Sequence, residues 1–266
     1  MEVNGKQDEP RFLIITIKDT ISYIKYDVTS KTFKICTHNS TKIFYHHSNY
    51  FFLTSNLLGF CGNLLPELDE VHILDIEKNT IIQKPQMPIL SPCAGVQKFN
   101  DRFYFFGGLL LNGLRLKNCF YYNDLNLENS TPISDLPECS HNISCYKNQD
   151  LIVLAGYTLS YIYTYHPELD RYGVIRIYKR QGYHKVLLFH ENKIYILSTN
   201  ELLIKEEAQE EWYKYNLNFE NVHLITPLVM HQQYYYFADQ YRNIQRFNTL
   251  TNQIENVELL DQDIIK

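Results

Sequence analysis

The side chains of this sequence that could do chemistry are histidines, cysteines, and Arg and Tyr residues scattered between apolar runs. His46 and His47 are adjacent, His184 and His190 lie six apart, and His223 and His231 eight apart. A zinc-type centre needs three or four His, Cys or carboxylate ligands at close spacing. Adjacent residues on a strand face opposite ways, so His46 and His47 do not converge on one ion. No Cys or carboxylate stands at ligand spacing beside the other pairs. The cysteines at 36, 61, 93, 119, 139 and 145 contain no CxxC pair and read as buried free thiols. Nucleophilic or metal-assisted catalysis would announce itself as G-x-S-x-G, H-E-x-x-H or a phosphate-binding loop, and the chain has none of these. Single acids such as Asp101 and Asp239 read as turn residues. The expectation is a protein without metal, cofactor or catalytic group.

Binding is the chemistry left. Residues 55–70 read as a long loop that carries Leu57, Leu58, Phe60, Leu64 and Leu65, and residues 107–117 as a second, with Leu109, Leu110, Leu111, Leu114, Arg115 and Lys117. Apolar side chains in loops either tuck back over the fold or form a contact patch, and the sequence leaves both open. Arg115, Tyr157, Arg180, Tyr183, His184, Tyr241 and Arg242 would share one rim with them. Arg and Tyr dominate contact energies between proteins because they bring large, fairly rigid area with a polar handle. Ordinary solvated loops are the equally open alternative.

The elements that must position these residues repeat along the chain. Four-residue apolar runs occur at Phe12 to Ile15, Tyr50 to Leu53, Phe103 to Phe106, Leu151 to Leu154, Ile194 to Leu197 and Tyr234 to Phe237. Turn clusters such as Asn100-Asp101 and Asn148-Gln149-Asp150 precede them, themselves preceded by alternating segments such as Thr41 to Tyr45 and Lys185 to Phe189. That is hairpin grammar, with each run read as the second strand of its unit. A third strand then ends in a polar residue with a large apolar residue six positions on: Asp27 to Phe33, Asp75 to Ile81, His166 to Tyr172, Glu206 to Trp212, Asn248 to Ile254. The copy at Asp124 and Ser130 is out of step by one. These anchors are 48, 49, 42, 40 and 42 residues apart, a mean of about 44, which is the period of a four-stranded propeller blade. One such sheet cannot cover both of its apolar faces, whereas blades packed around an axis cover one another. The fold expected is all-β, a six-bladed β-propeller of four-stranded antiparallel blades. Residues 1–10 read as a polar extension and 11–266 as one domain, with blades at roughly 11–40, 41–90, 91–138, 139–182, 183–220 and 221–266.

The pattern resembles the Kelch-repeat β-propellers, in which Gly-Gly follows the second strand and a Tyr and a Trp flank the turn from third to fourth. Gly107-Gly108 after Phe103 to Phe106 matches, Ala155-Gly156 matches by half, and Tyr26 to Phe33, Tyr165 to Tyr172 and Glu206 to Trp212 echo the later portion. Thr54-Ser55, Ser198-Thr199 and Ala238-Asp239 stand where glycines would, and the single Trp replaces several. The Gly-His and Trp-Asp signatures of WD40 blades are absent. The resemblance implies a Kelch-like scaffold or adaptor holding a protein or peptide on the loop-bearing face. Many Kelch proteins serve ubiquitin ligases through an attached BTB or F-box segment, for which the ten residues before the first strand leave no room. Other Kelch-like propellers are enzymes, which keeps open a sugar or small metabolite handled at the central channel. A structural component of a cytoskeletal or other large assembly is the third reading.

Composition narrows the setting. With 266 residues and 45% hydrophobic content the chain can bury a core without disulfides or metal. Its 22 Tyr and 15 Phe favour strands. A net charge of -5 gives no broad attraction to nucleic acid or an anionic membrane, so neither is an expected partner. The polar start carries no secretory signal and no run approaches a membrane span, so a cytoplasmic location is expected. The acceptor triplets at Asn39, Asn129 and Asn142 then read as turns. Two features stand apart: residues 201–212, rich in helix formers where a third strand is due, and the first unit, which lacks a leading strand and would be closed by the C-terminal tail around Ile264 and Ile265.

Overall fold

Alternating and doubly apolar runs give strands of three to nine residues among the described residues. The structure, a computed structural model, describes residues 11–17, 20–27, 32–39, 49–54, 57–61, 70–75, 77–78, 80–86, 93–110, 112–123, 129–175, 186–190, 193–197, 201–206, 209, 211–216, 229–231, 233–238 and 244–256. Among these there is no helix, and none that could cross a membrane. The strands form six antiparallel sheets, each built from consecutive strands in sequence order. The first has three: β1 (Arg11–Ile17), β2 (Thr20–Asp27) and β3 (Thr32–Asn39). The second has β4 (Asn49–Thr54), β5 (Leu57–Cys61), β6 (Glu70–Asp75) and β7 (Thr80–Gln86), and the third β8 (Gly95–Phe99), β9 (Arg102–Leu109), β10 (Arg115–Asn123) and β11 (Ser130–Ile133). The fourth has β12 (Ser144–Asn148), β13 (Leu151–Ala155), β14 (Ile162–His166) and β15 (Arg171–Ile175). The fifth has β16 (Val186–His190), β17 (Lys193–Leu197), β18 (Glu201–Glu206) and β19 (Tyr213–Asn216), and the sixth β20 (Val229–His231), β21 (Tyr234–Ala238), β22 (Ile244–Asn248) and β23 (Gln253–Asn256).

The core lies between successive sheets, and side-chain parity decides which neighbour each residue meets. On β9, Phe103 and Phe105 pack with Phe51 and Ile73 of the second sheet, while Tyr104 and Phe106 pack with Ile152 and Leu154 of the fourth. On the fourth sheet, Val153 and Ala155 turn the other way, onto Ile194 and Ile196 of the fifth. Tyr195 and Leu197 continue the series onto Tyr235 and Phe247 of the sixth. Central strands are therefore apolar on both faces. The first strands of the sheets are neighbours as well: β4 lies beside β8, β8 beside β12, β12 beside β16, and β1 against β20 and β21.

The sixfold sequence anchor is a cross-strand pair. In four sheets the residue before the anchor pairs with the apolar residue that follows it: Tyr26 with Phe33, Leu74 with Ile81, Tyr165 with Tyr172 and Phe247 with Ile254. In the third sheet Tyr122 faces Ser130, the one-residue offset visible in the sequence. The anchors' polarity serves the turn. Asp75 Oδ1 accepts the N–H groups of Glu77 and Lys78 at 3.1 and 3.0 Å, and Asn248 Oδ1 those of Leu250 and Thr251 at 3.0 and 3.4 Å. Both are side-chain mimics of a backbone turn.

Two expectations change and one open segment resolves. Tyr50 to Leu53 lies in the first strand of its sheet, not the second, and Leu57, Leu58 and Phe60 lie in β5 rather than a loop. Gly59 makes this possible, since a Cβ there would stand 2.6 Å from Cε2 of the buried Phe51. Residues 201–206, rich in helix formers, are strand β18, because Leu202 and Ile204 alternate into the cluster shared with the sixth sheet while Leu203 faces the fourth. Tertiary burial overrides propensity here. The thiols of Cys93, Cys119 and Cys145 are held above their usual range by burial, Cys93 to about 12 and Cys119 to about 11, but Cys139 is exposed on a connecting segment. Residues 1–10, Thr41 to Tyr45, and Ile264 and Ile265 lie outside the described residues.

Candidate interaction surface

Antiparallel order places the turn after each sheet's second strand and the connection to the next sheet at one end. In the third and fourth sheets that end carries residues 110, 112–114, 134–143 and 156–161. Residues 134–142 hold the other two together. Gly107 and Gly108 sit in an irregularity of the β9–β10 ladder, with positive φ of 59 and 117°. There the freed backbone groups pair with the connecting segment: Gly108 N–H donates to Ser140 O at 2.9 Å, Ser140 N–H to Leu116 O at 3.1 Å and Leu136 N–H to Lys117 O at 2.9 Å. Ser140 is fully buried.

The same segment grips the fourth sheet. Tyr157 N–H donates to His141 O at 3.2 Å, and Thr158 Oγ1 donates to Cys139 O at 2.7 Å. Glu138 accepts from Ser160 N–H and from the Tyr163 hydroxyl, both at 2.8 Å. Burial first, and the Glu138 carboxylate second, push the Tyr163 phenol above its usual range. Toward the opposite end of this junction, Asp170 Oδ1 accepts from Ser134 N–H at 2.9 Å and from Tyr165 OH at 2.8 Å, and Tyr172 OH donates to Ser134 O at 3.0 Å. Partial burial pushes the Asp170 carboxyl up, but the bonds from Ser134 and Tyr165 outweigh it and hold the group below its ordinary value.

Of the residues singled out from sequence, Arg115 and Tyr157 stand at this end of adjacent sheets. Arg115 opens β10 and is exposed, and Tyr157 is half-buried with its ring 4.9 Å from that of His141. Phe60 is in β5, paired with Tyr50 and His72. Leu64, Leu65, Arg180, Tyr183, His184, Tyr241 and Arg242 lie outside the described residues. The sequence reading missed residues 134–142, which carry no apolar periodicity. It had one usable signal: glycine late in a strand marks a close backbone approach.

Chemically this end offers contact area and charge. Leu114 is 58% exposed, Tyr161 41% and Leu110 39%. Among the described residues no three His, Cys, Asp or Glu side chains gather where they could hold a metal ion. The sequence matches no protein-family model, and no curated protein matches it.

Proposed function

We propose that the protein is a non-enzymatic interaction module, a six-bladed Kelch-like β-propeller that binds a protein or peptide on the end bearing Arg115 and Tyr157. The supporting observation is the rigid coupling of that end: one connecting segment ties the exposed β9–β10 turn to the β13–β14 turn through backbone bonds to Gly108, Leu116 and Tyr157. Loops fixed on a sheet scaffold are the usual seat of recognition. Shared cores between successive sheets and the contact of β1 with β20 and β21 support the ring.

The test is co-purification of partners with wild type, Arg115→Ala and Tyr157→Ala. Loss of one set of partners with either variant, at unchanged melting temperature, is the expected result. Equal recovery from all three refutes the reading.

A further inference from the structure

Leu110 and residues 112–114 are tied to one another by hydrogen bonds and present two exposed leucines. Leu110 N–H donates to Leu114 O at 2.8 Å, Gly113 N–H to Leu110 O at 2.8 Å, and Leu114 N–H to Asn112 Oδ1 at 3.0 Å. The tip stands clear of the sheets, because a Cβ built on Gly113 would meet nothing within 4 Å. Leu110 and Leu114 are nonetheless 39% and 58% exposed. A preorganised apolar tip loses little freedom on burial, which is what an anchor residue needs.

Charge at its base indicates what it would enter. Arg115 follows directly and is exposed, and among the described residues its guanidinium meets no carboxylate. Two residues on, the exposed Lys117 donates its Nζ to the neutral Pro137 carbonyl at 3.0 Å, and among the described residues it meets no carboxylate. Glu138 is occupied by Ser160 and Tyr163, which leaves Asp135 as the exposed carboxylate of residues 134–142.

We propose that this hairpin tip is a plug, which inserts Leu110 and Leu114 into a concave apolar site on a partner protein, with carboxylates on the rim of that site meeting Arg115 and Lys117. The inference rests on the reading that this end binds protein, and deepens it by assigning shape and charge to the partner. Two leucines bury too little apolar surface to hold a bilayer, where even one myristoyl chain binds marginally, so a protein site is favoured over a membrane.

The experiment places benzoylphenylalanine at position 114, and separately at 157, in the full chain and photo-cross-links it in cells. The cross-linked protein is purified and titrated calorimetrically against wild type, Leu110→Ser/Leu114→Ser, Arg115→Glu and Tyr157→Ala. The inference expects a position-114 adduct in an apolar cleft bordered by Asp or Glu, and binding weakened tenfold or more by the double serine variant with its melting temperature unchanged. It also expects Arg115→Glu to be rescued by reversing a rim carboxylate to Lys. If Tyr157→Ala weakens binding while the double variant stays within twofold, the plug is overturned and the binding end stands. No effect from any variant, or no adduct at either position, overturns both. A position-114 adduct with a second copy of the chain, or co-sedimentation with phosphatidylserine vesicles that the double variant abolishes, overturns the plug alone.

Discussion

Gly107→Ala and Gly113→Ala test how the end that carries Arg115 and Tyr157 is held. Both glycines have positive φ, 59 and 80°, so both substitutions meet the same left-handed penalty, about 1 to 2 kcal/mol. Their surroundings differ. A Cβ at Gly113 meets nothing within 4 Å, whereas one at Gly107 would stand 2.7 Å from the Ser140 carbonyl oxygen and 2.9 Å from methyls of Leu136 and Ile143. Ser140 cannot retreat freely, since its carbonyl accepts from Gly108 and its N–H donates to Leu116. Overpacking of this kind costs about 1 to 3 kcal/mol, and a lost hydrogen bond about 1 more. Gly107→Ala should therefore cost about 2 to 4 kcal/mol beyond Gly113→Ala. At a urea slope near 2 kcal/mol/M that is a midpoint about 1 to 2 M lower. Urea unfolding followed by tyrosine fluorescence measures it. Equal midpoints for the two variants would show that residues 134–142 do not press on β9, and the argument for a rigidly held end would fall.

Other outcomes follow from the same geometry. The Asp170 carboxyl lies below its ordinary 3.8, so its stabilisation is present above that value and drains away as pH falls through the lower folded value. Asp170→Asn should thus lower the urea midpoint at pH 7 by a margin that shrinks as pH falls below 3.8, and a pH-independent difference would count against the Ser134–Asp170–Tyr165 clamp. Gln149 holds a φ of 49° in the turn between β12 and β13, so Gln149→Gly should raise stability by about 0.5 to 1 kcal/mol in thermal melts. Iodoacetamide should label Cys139 in the native protein well before Cys93, Cys119 and Cys145, with peptide mapping as the readout; early labelling of Cys119 would contradict its burial.

Strand order was legible wherever a run had to be apolar on both faces. Phe103 to Phe106 and Ile194 to Leu197 read as central strands because the third and fifth sheets both have a neighbour on either side, and the clusters divide those residues by parity. The anchors were legible because a turn of fixed length fixes the cross-strand partner. Legibility failed where two signals of equal strength competed. Leu57 to Cys61 is as apolar as its neighbours, but two adjacent apolar runs do not say which is first in the sheet. Residues 201–206 have the composition of a helix, and only the cluster awaiting Leu202 and Ile204 makes them a strand.

The end that carries Arg115 and Tyr157 was half legible, and the division has a physical cause. Arg115 and Tyr157 could be placed together because antiparallel counting alone sends both to the same end. Their mutual fixation could not, because it depends on residues 134–142, whose backbone rather than side-chain pattern makes the contacts. Gly107, Gly108 and Gly156 record that contact from the other side: a Cβ on Gly156 would fall 2.5 Å from Ser140 Oγ, as one on Gly107 falls against the Ser140 carbonyl. Glycines from two successive sheets thus converge on one buried serine. At Gly107 and Gly156 the missing Cβ makes room for the chain that joins one sheet to the next, and that chain holds the turns on either side of it in fixed relation.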